Sequence, residues 1–225
     1  MLQTVDQLLG GALVIAPPRF HDPRGIFTVP FESTAAAELG LPERFVQDNH
    51  SVSYEAGTIR GVHLQLPPHE QGKLVRVLRG RIFDVVVDLR PDSVTVGQAA
   101  TVELSAEGGE MLWVPRGLGH AFCTLEPDTE VFYKVDTPYR PDAELSVAWD
   151  DPALGVDWPV TADQAVVSDK DQHGVKLSEA LAVVRSATLE AGSDGDSRPA
   201  GGSQSTSRPA DRIDVDYVGG ERLPR

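Results

Sequence analysis

The stretch Tyr54-Glu-Ala-Gly-Thr-Ile-Arg60-Gly-Val-His63-Leu-Gln65 places a guanidinium and an imidazole beside a glycine in a run whose residue types favour a strand. By the two-residue period of a strand, His63 and Gln65 share one face and Leu64 and Leu66 the other, so a polar stripe would line the inside of a barrel. A histidine alone on such a strand is more often a hydrogen-bonded structural residue than a base. This one has company. In Pro115-Arg-Gly-Leu-Gly-His120-Ala-Phe122 a Pro/Gly turn delivers a second histidine at the start of a strand. In Thr129-Glu-Val-Phe-Tyr133-Lys-Val, Tyr133 alternates in phase with Val131 and Val135, and its hydroxyl would need a polar partner inside. With Lys73, these residues lie on successive strands and offer a base, a cation for a developing oxyanion and a separate proton donor. Those are the parts needed to remove a proton next to a carbonyl.

A metal reading competes for the same histidines. A metal-binding barrel of this kind is expected to carry a His-x-His pair on the earlier strand, but the place reads His63-Leu64-Gln65, with only His69 and Glu70 nearby. Two neutral imidazoles and one carboxylate make an incomplete ligand set, so no metal site is assigned. The single cysteine, Cys123, sits in no nucleophile motif and reads as a packing residue.

The elements that must position these groups are short. From Leu13 to about Trp149, β-branched and aromatic runs alternate with Gly, Pro and Asp, the pattern of an all-β sandwich or barrel. Lys73–Leu78 and Ile82–Arg90 read as a strand pair joined at Gly80 by a tight hairpin. In the second of them Phe83, Val85, Val87 and Leu89 form a dry face, opposite Asp84, Asp88 and Arg90. Further strands are expected at Ala99–Leu104, Glu110–Val114, Ala121–Leu125 and Glu130–Val135, a spacing that suggests a jelly roll. Beyond Trp158 a loop ends in Val167-Ser168-Asp169-Lys170-Asp171, and a short capping helix is expected from Leu177 to Thr188. One domain is therefore expected over residues 1–188. Residues 189–225 read as a low-complexity, disordered tail, in which Ser-Arg-Pro-Ala occurs at Ser197 and again at Ser207. Within that tail Ile213–Val218 could add a strand, though a frayed terminus is the simpler reading.

The chain has 225 residues and a formal net charge of -14, which argues against a nucleic-acid or anionic-membrane partner, since both need a positive face. A few local cations can still hold a nucleotide diphosphate. One cysteine allows no intrachain disulfide, so a reducing, cytoplasmic compartment fits. The apolar stretch Leu8–Ala16 is short, contains Gly10 and Gly11 and ends at Pro17-Pro18, and so reads as an N-terminal strand and neither a signal peptide nor a membrane span.

Taken in order, the motifs resemble one family, the dTDP-4-dehydrorhamnose 3,5-epimerases with their 3- and 5-epimerase relatives. They include Phe20-x-Asp22-x-Arg24-Gly25-x-Phe27, Gln47-Asp48-Asn49-x-Ser51-x-Ser53, Gly57-x-x-Arg60-Gly61-x-His63-x-Gln65 and Lys73-Leu-Val. Pro115-x-Gly117-x-x-His120-x-Phe122, Tyr133-Lys134, Tyr139-x-Pro141-x-x-Glu144 and Ser168-x-Lys170-Asp171 follow at the expected spacings. The resemblance implies a cupin-type double-stranded β-helix, working as a homodimer without metal or organic cofactor on a dTDP-linked 4-keto-6-deoxysugar. By the same resemblance His63 is the base, paired with Asp171; Tyr133 is the acid on the opposite side of the ring; Lys73 is the cation that stabilises the enolate. Arg24, Gln47, Asp48, Asn49, Arg60, His120, Glu144 and Lys170 fall on substrate-binding positions, with Arg24 offered to the neighbouring subunit, and Tyr139 falls where relatives stack the thymine ring. One departure is Val29, which stands where many relatives carry a glutamate that helps hold the base.

Two other activities share parts of this pattern. A metal-dependent cupin oxygenase or isomerase would need a bound transition metal. A non-catalytic sugar-nucleotide-binding cupin would need no acid and base on opposite sides of its pocket.

Overall fold

The computed structural model describes residues 1–194. Its strands are β1 (Gln3–Gln7), β2 (Leu13–Ala16), β3 (Arg19–Asp22), β4 (Gly25–Thr28), β5 (Gln47–Ser53), β6 (Thr58–Gln65), β7 (Lys73–Arg79), β8 (Arg81–Asp88), β9 (Ala99–Ser105), β10 (Met111–Val114), β11 (Leu118–Thr124), β12 (Thr129–Val135), β13 (Glu144–Ser146) and β14 (Val166–Val167). Three helices, α1 (Ser33–Glu38), α2 (Asp169–Gln172) and α3 (Leu177–Asp194), lie outside the sheets. Strands β1-β2-β10-β7-β12-β5 form one sheet and β13-β6-β11-β8-β9 the other, with β14 parallel to β6. From β5 to β8 each successive strand joins the other sheet, as it does again from β9 to β13. This wrapping makes the jelly roll.

The alternation of side chains builds the interior. Val14, Val75, Val77, Leu112, Val114 and Val131 from one sheet meet Ile82, Val86, Leu104, Leu118 and Phe122 from the other. Each such burial contributes about 1.5–3 kcal/mol, and this inner layer holds the two sheets together. The outer face of the second sheet is also dry. Val62, Leu64, Val85, Val87 and Leu89 are covered by Leu177, Ala180 and Val184 of α3, an i, i+3, i+7 stripe. The first backbone amide of α3, on Leu177, donates to Asp151 Oδ2 at 2.8 Å, a remote cap.

Several sequence expectations change here. Strands β7 and β8 are not a hairpin: β7 pairs with β10 and β12, whereas β8 pairs with β9 and β11. Their apolar residues close one core from opposite sides, so the chain turns a corner between sheets at Gly80 (φ 79°). The polar face of β8 carries Asp84 and Asp88 as expected, but fully buried. Leu8–Ala16 is a 3-10 turn at Leu9–Gly11 followed by β2, and an additional strand, β1, precedes it. Helix α3 has 18 residues and reaches Asp194, past the expected end at Thr188, although its packed residues, Leu177, Ala180, Leu181 and Val184, all lie before that end. The rest of the expected tail, with Ile213–Val218, lies outside the described residues. Among the described residues no helix is long and apolar enough to cross a membrane.

Candidate active site

Arg60 and His63 are three residues apart, so a regular strand would send them to opposite faces. A bulge in β6 prevents this: His120 pairs with His63 and Phe122 with Arg60, leaving Gly61 and Val62 opposite the single residue Ala121. Both side chains therefore line the same cavity. Glycine is required at the bulge, since its φ is 118° and an added Cβ would lie 2.5 Å from the His120 carbonyl oxygen. The bulge also releases the Gly61 amide, which donates to Asp171 Oδ2 at 3.3 Å.

Asp171 reaches this point from α2, whose N-cap Ser168 accepts from the Asp171 amide. Its Oδ1 lies 2.5 Å from His63 Nε2, and the carboxyl is buried. Burial pushes the Asp171 pKa up, but the hydrogen bond and charge of His63 and the Gly61 amide outweigh it, and the net shift is downward. The carboxylate can then only accept, so Nε2 carries the proton and Nδ1 of the neutral ring keeps a lone pair. That lone pair is the basic end of the dyad.

Lys73 opens β7 on the facing sheet. It is buried, and among the described residues its Nζ donates only to the His63 carbonyl oxygen, at 3.3 Å. Burial pulls its pKa down to about 8, against the opposing charges of Glu144, Asp84 and Asp136. Tyr133, on β12, lines the same cavity from the first sheet, and burial holds its phenol pKa above the ordinary value. The imidazole and the phenol thus approach one space from opposite sheets.

The cavity, about 410 Å³, is of a size that suits a small ligand. Gln47 and Asn49 enter it from alternate positions of β5, linked side chain to side chain at 2.7 Å. Arg60 is held by the Ser53 hydroxyl and the Val52 carbonyl, both at 3.2 Å. Across the mouth, Tyr139 donates to Glu144 at 2.7 Å, and Lys170 binds the same carboxylate at 2.5 Å. Burial opposes the Glu144 charge, yet Lys170 and Tyr139 together bring its pKa below the usual value. Burial and that same hydrogen bond push the Tyr139 phenol up to about 12. His120 lines the cavity with Nε2 on Asp84 Oδ1 at 2.8 Å.

Of the residues singled out in the sequence, His63, Tyr133, Asp171, Lys73, Gln47, Asn49, Arg60, His120, Tyr139, Glu144 and Lys170 line this one cavity. Asp48 does not. The alternation that turns Gln47 and Asn49 inward turns Asp48 outward, where it binds Lys134 at 2.8 Å. Arg24 is also absent from the cavity of its own chain; it lies in the turn of the β3–β4 hairpin rather than at the end of a strand, 90% exposed and paired with Asp22. Ser51, Gln71, Phe122 and Ser168 line the cavity without having been singled out as contacts. Ser51 was open to detection, being in phase with Gln47 and Asn49; nothing in the sequence marked Gln71. Among the described residues no three His, Cys, Asp or Glu side chains are grouped to hold a metal ion.

A jelly roll that gathers an imidazole–carboxylate dyad, a buried ammonium and a phenol around one sugar-sized cavity defines a cupin-type isomerase. The sequence profile of the family dTDP-4-dehydrorhamnose 3,5-epimerase matches residues 6–179. A dTDP-4-dehydrorhamnose 3,5-epimerase of Sinorhizobium fredii is 45% identical over 170 residues, covering 74% of this chain and 85% of that protein. The crystal structure of the Bacillus anthracis enzyme of that name, with TDP and PPi bound, superposes with a TM-score of 0.76 at 43% identity, covering 78% of this chain and 99% of the other. A Legionella pneumophila dTDP-6-deoxy-D-glucose-3,5-epimerase in complex with dTDP-4-keto-L-rhamnose gives 0.74 at 38% identity, with 79% and 94% covered. The chain belongs to the dTDP-4-dehydrorhamnose 3,5-epimerase family.

Proposed function

We propose that this protein epimerises a dTDP-linked 4-keto-6-deoxyhexose at C3, C5 or both, in deoxysugar biosynthesis. The observation that carries the reading is the placement of the His63–Asp171 dyad and Tyr133 on opposite sheets of one cavity. The C4 ketone acidifies the neighbouring C–H. His63 takes that proton through its free nitrogen, and the electron pair moves onto the ketone oxygen as an enolate. Lys73 meets the negative charge. Tyr133 then returns a proton from the other face, and the carbon is inverted. Asp171 holds the ring of His63 in the tautomer this step needs. Gln47, Asn49, Arg60, His120, Tyr139, Glu144 and Lys170 bind the rest of the substrate, with Tyr139 at the mouth placed to stack on the thymine. Asp48 is left out of that set because its side chain faces Lys134. No metal or organic cofactor takes part in this scheme.

The working unit in this reading is a cytoplasmic homodimer. The β3–β4 hairpin presents Phe20 and Phe27, 58% and 67% exposed, beside Arg24. An apolar arm of this kind favours burial against a second copy, which would carry Arg24 into that copy's cavity.

The test is incubation with dTDP-4-keto-6-deoxyglucose in deuterated water, with the position of incorporated deuterium read by NMR. Label at C3 or C5 is the expected result and names the inverted centre. A folded protein that binds dTDP but incorporates no deuterium overturns the reading.

A further inference from the structure

The carboxylate of Asp84 touches no substrate in the scheme above, and its charge enters only as one of three that favour the Lys73 ammonium. It stands on β8 opposite Phe122, two residues along β11 from His120, and so is the diagonal neighbour of His120 on the inner face. The flanking inner-face residues of β8, Ile82 and Val86, are fully buried and apolar. Asp84 is also fully buried, and while its Oδ1 binds His120 Nε2 at 2.8 Å, its Oδ2 has no hydrogen-bond partner. A carboxylate half satisfied in an apolar layer is costly, and packing alone gives no reason to keep it. It does not line the cavity, so apart from its charge on Lys73 it acts on a ligand through what it holds.

What it holds is one end of an imidazole. An ionised carboxylate only accepts, so the proton of the neutral His120 ring sits on Nε2, and Nδ1, which makes no hydrogen bond among the described residues, keeps its lone pair. A lone pair facing the cavity repels a ketone oxygen and accepts from a hydroxyl.

We propose that Asp84 is a positioning residue that fixes His120 as the Nε2–H tautomer, so that Nδ1 accepts a hydrogen bond from a hydroxyl of the bound hexose. The inference rests on the sugar-epimerase reading for the identity of the ligand, but the hold of Asp84 on the ring can be measured without it. Asp84 and Asp171 would then impose the same tautomer on His120 and His63 for different ends, one to bind and one to take a proton.

The experiment uses the full chain with ¹⁵N-labelled histidine, His120 being assigned by comparison with His120→Gln. In the unsubstituted protein at neutral pH, His120 should show a protonated Nε2 and a bare Nδ1. In Asp84→Asn, whose amide can either accept or donate, that signature should weaken. The KM for dTDP-4-keto-6-deoxyglucose should rise about tenfold, as for one lost hydrogen bond, with kcat within about threefold and the affinity for dTDP alone unchanged. A His120 ring protonated on Nδ1 in the unsubstituted protein overturns the proposal, and this measurement decides even if Asp84→Asn fails to fold. An Asp84→Asn protein with unaltered His120 signals and unaltered KM overturns it equally. Absence of deuterium incorporation by the unsubstituted protein would instead count against the epimerase reading and leave the tautomer result standing.

Discussion

His63 and His120 are direct cross-strand partners in the β6–β11 ladder, yet each surrenders its Nε2 to a different carboxylate, Asp171 at 2.5 Å and Asp84 at 2.8 Å. Two imidazoles side by side are thereby anchored separately. The carboxylate of one comes from a short helix outside the barrel and that of the other from within the wall.

Substituting the base and the acid should give different failures. We expect His63→Ala to abolish solvent exchange at the sugar carbons, with a loss of about 10²–10⁴ in rate, because no proton leaves. Tyr133→Phe should retain some exchange on the His63 side while losing correct inversion. Deuterium NMR of recovered sugar separates the two, and full exchange in a folded His63→Ala protein would sink the assignment of the base.

In the proposed scheme Lys73 ties activity to pH. Its folded pKa, about 8, lies below the ordinary 10.5, so the ammonium is present below about pH 8 and is lost above it. The kcat/KM profile should therefore fall on the alkaline side near that value. For stability the sign is the opposite of a salt bridge. Between about 8 and 10.5 the unfolded chain binds more protons, so stability rises with pH over that window. At pH 7 the buried charge costs on the order of 3 kcal/mol, and Lys73→Met should raise the melting temperature while removing activity. A Lys73→Met protein that melts lower, or an unsubstituted protein whose kcat/KM shows no fall near pH 8, would refute this account.

How much of this was legible in the residues is a question of period. The strands from Lys73 to Val135 follow the two-residue alternation, and so did Tyr133 with its valines. What the period could not show was partnership. Leu78 and Ile82 flank a glycine as in any hairpin, and only the shared core on both sides of Gly80 reveals a corner between sheets. The phase of Arg60 was hidden for a related reason: a bulge breaks the count locally, and Gly61 announces it only in hindsight. Asp48 shows the converse, since simple alternation would have sent it away from Gln47 and Asn49, and motif order overrode that reading. Helix α3 runs on past Thr188 where its apolar stripe has already ended at Val184, so the pattern marks the packed part of the helix and not its end.

Chelation should leave the enzyme working. In the proposed scheme the enolate charge has Lys73 to meet it, and among the described residues no three His, Cys, Asp or Glu side chains are grouped to hold a metal ion. We expect unchanged turnover after exhaustive treatment with a chelator; loss of activity restored by one specific metal would move the protein to the metal-dependent cupins.

Assembly can be tested by complementation. If Arg24 serves the partner's cavity, then Arg24→Ala and His63→Ala chains, each inactive alone, should regain about a quarter of the wild-type activity when mixed in equal amounts, since random exchange puts half the chains in mixed dimers and each of those has one intact site. No recovery, with subunit exchange shown independently, would place Arg24 outside any site.

The bulge in β6 makes the site a matter of parity. Because Gly61 and Val62 together occupy one step of the ladder, Arg60 and everything before it run out of phase with His63 and everything after it. Deleting Gly61 would therefore do more than remove a glycine. With pairing kept on the His63 side, it would restore a regular strand in which Arg60, now two positions from His63 and still opposite Phe122, keeps the cavity face, but it would remove the amide that the bulge frees for Asp171. The guanidinium and the imidazole, three residues apart, share a face only because of the extra residue, and a transplant of this site onto another β-roll has to carry that residue for the amide it offers Asp171 rather than for the facing of the side chains.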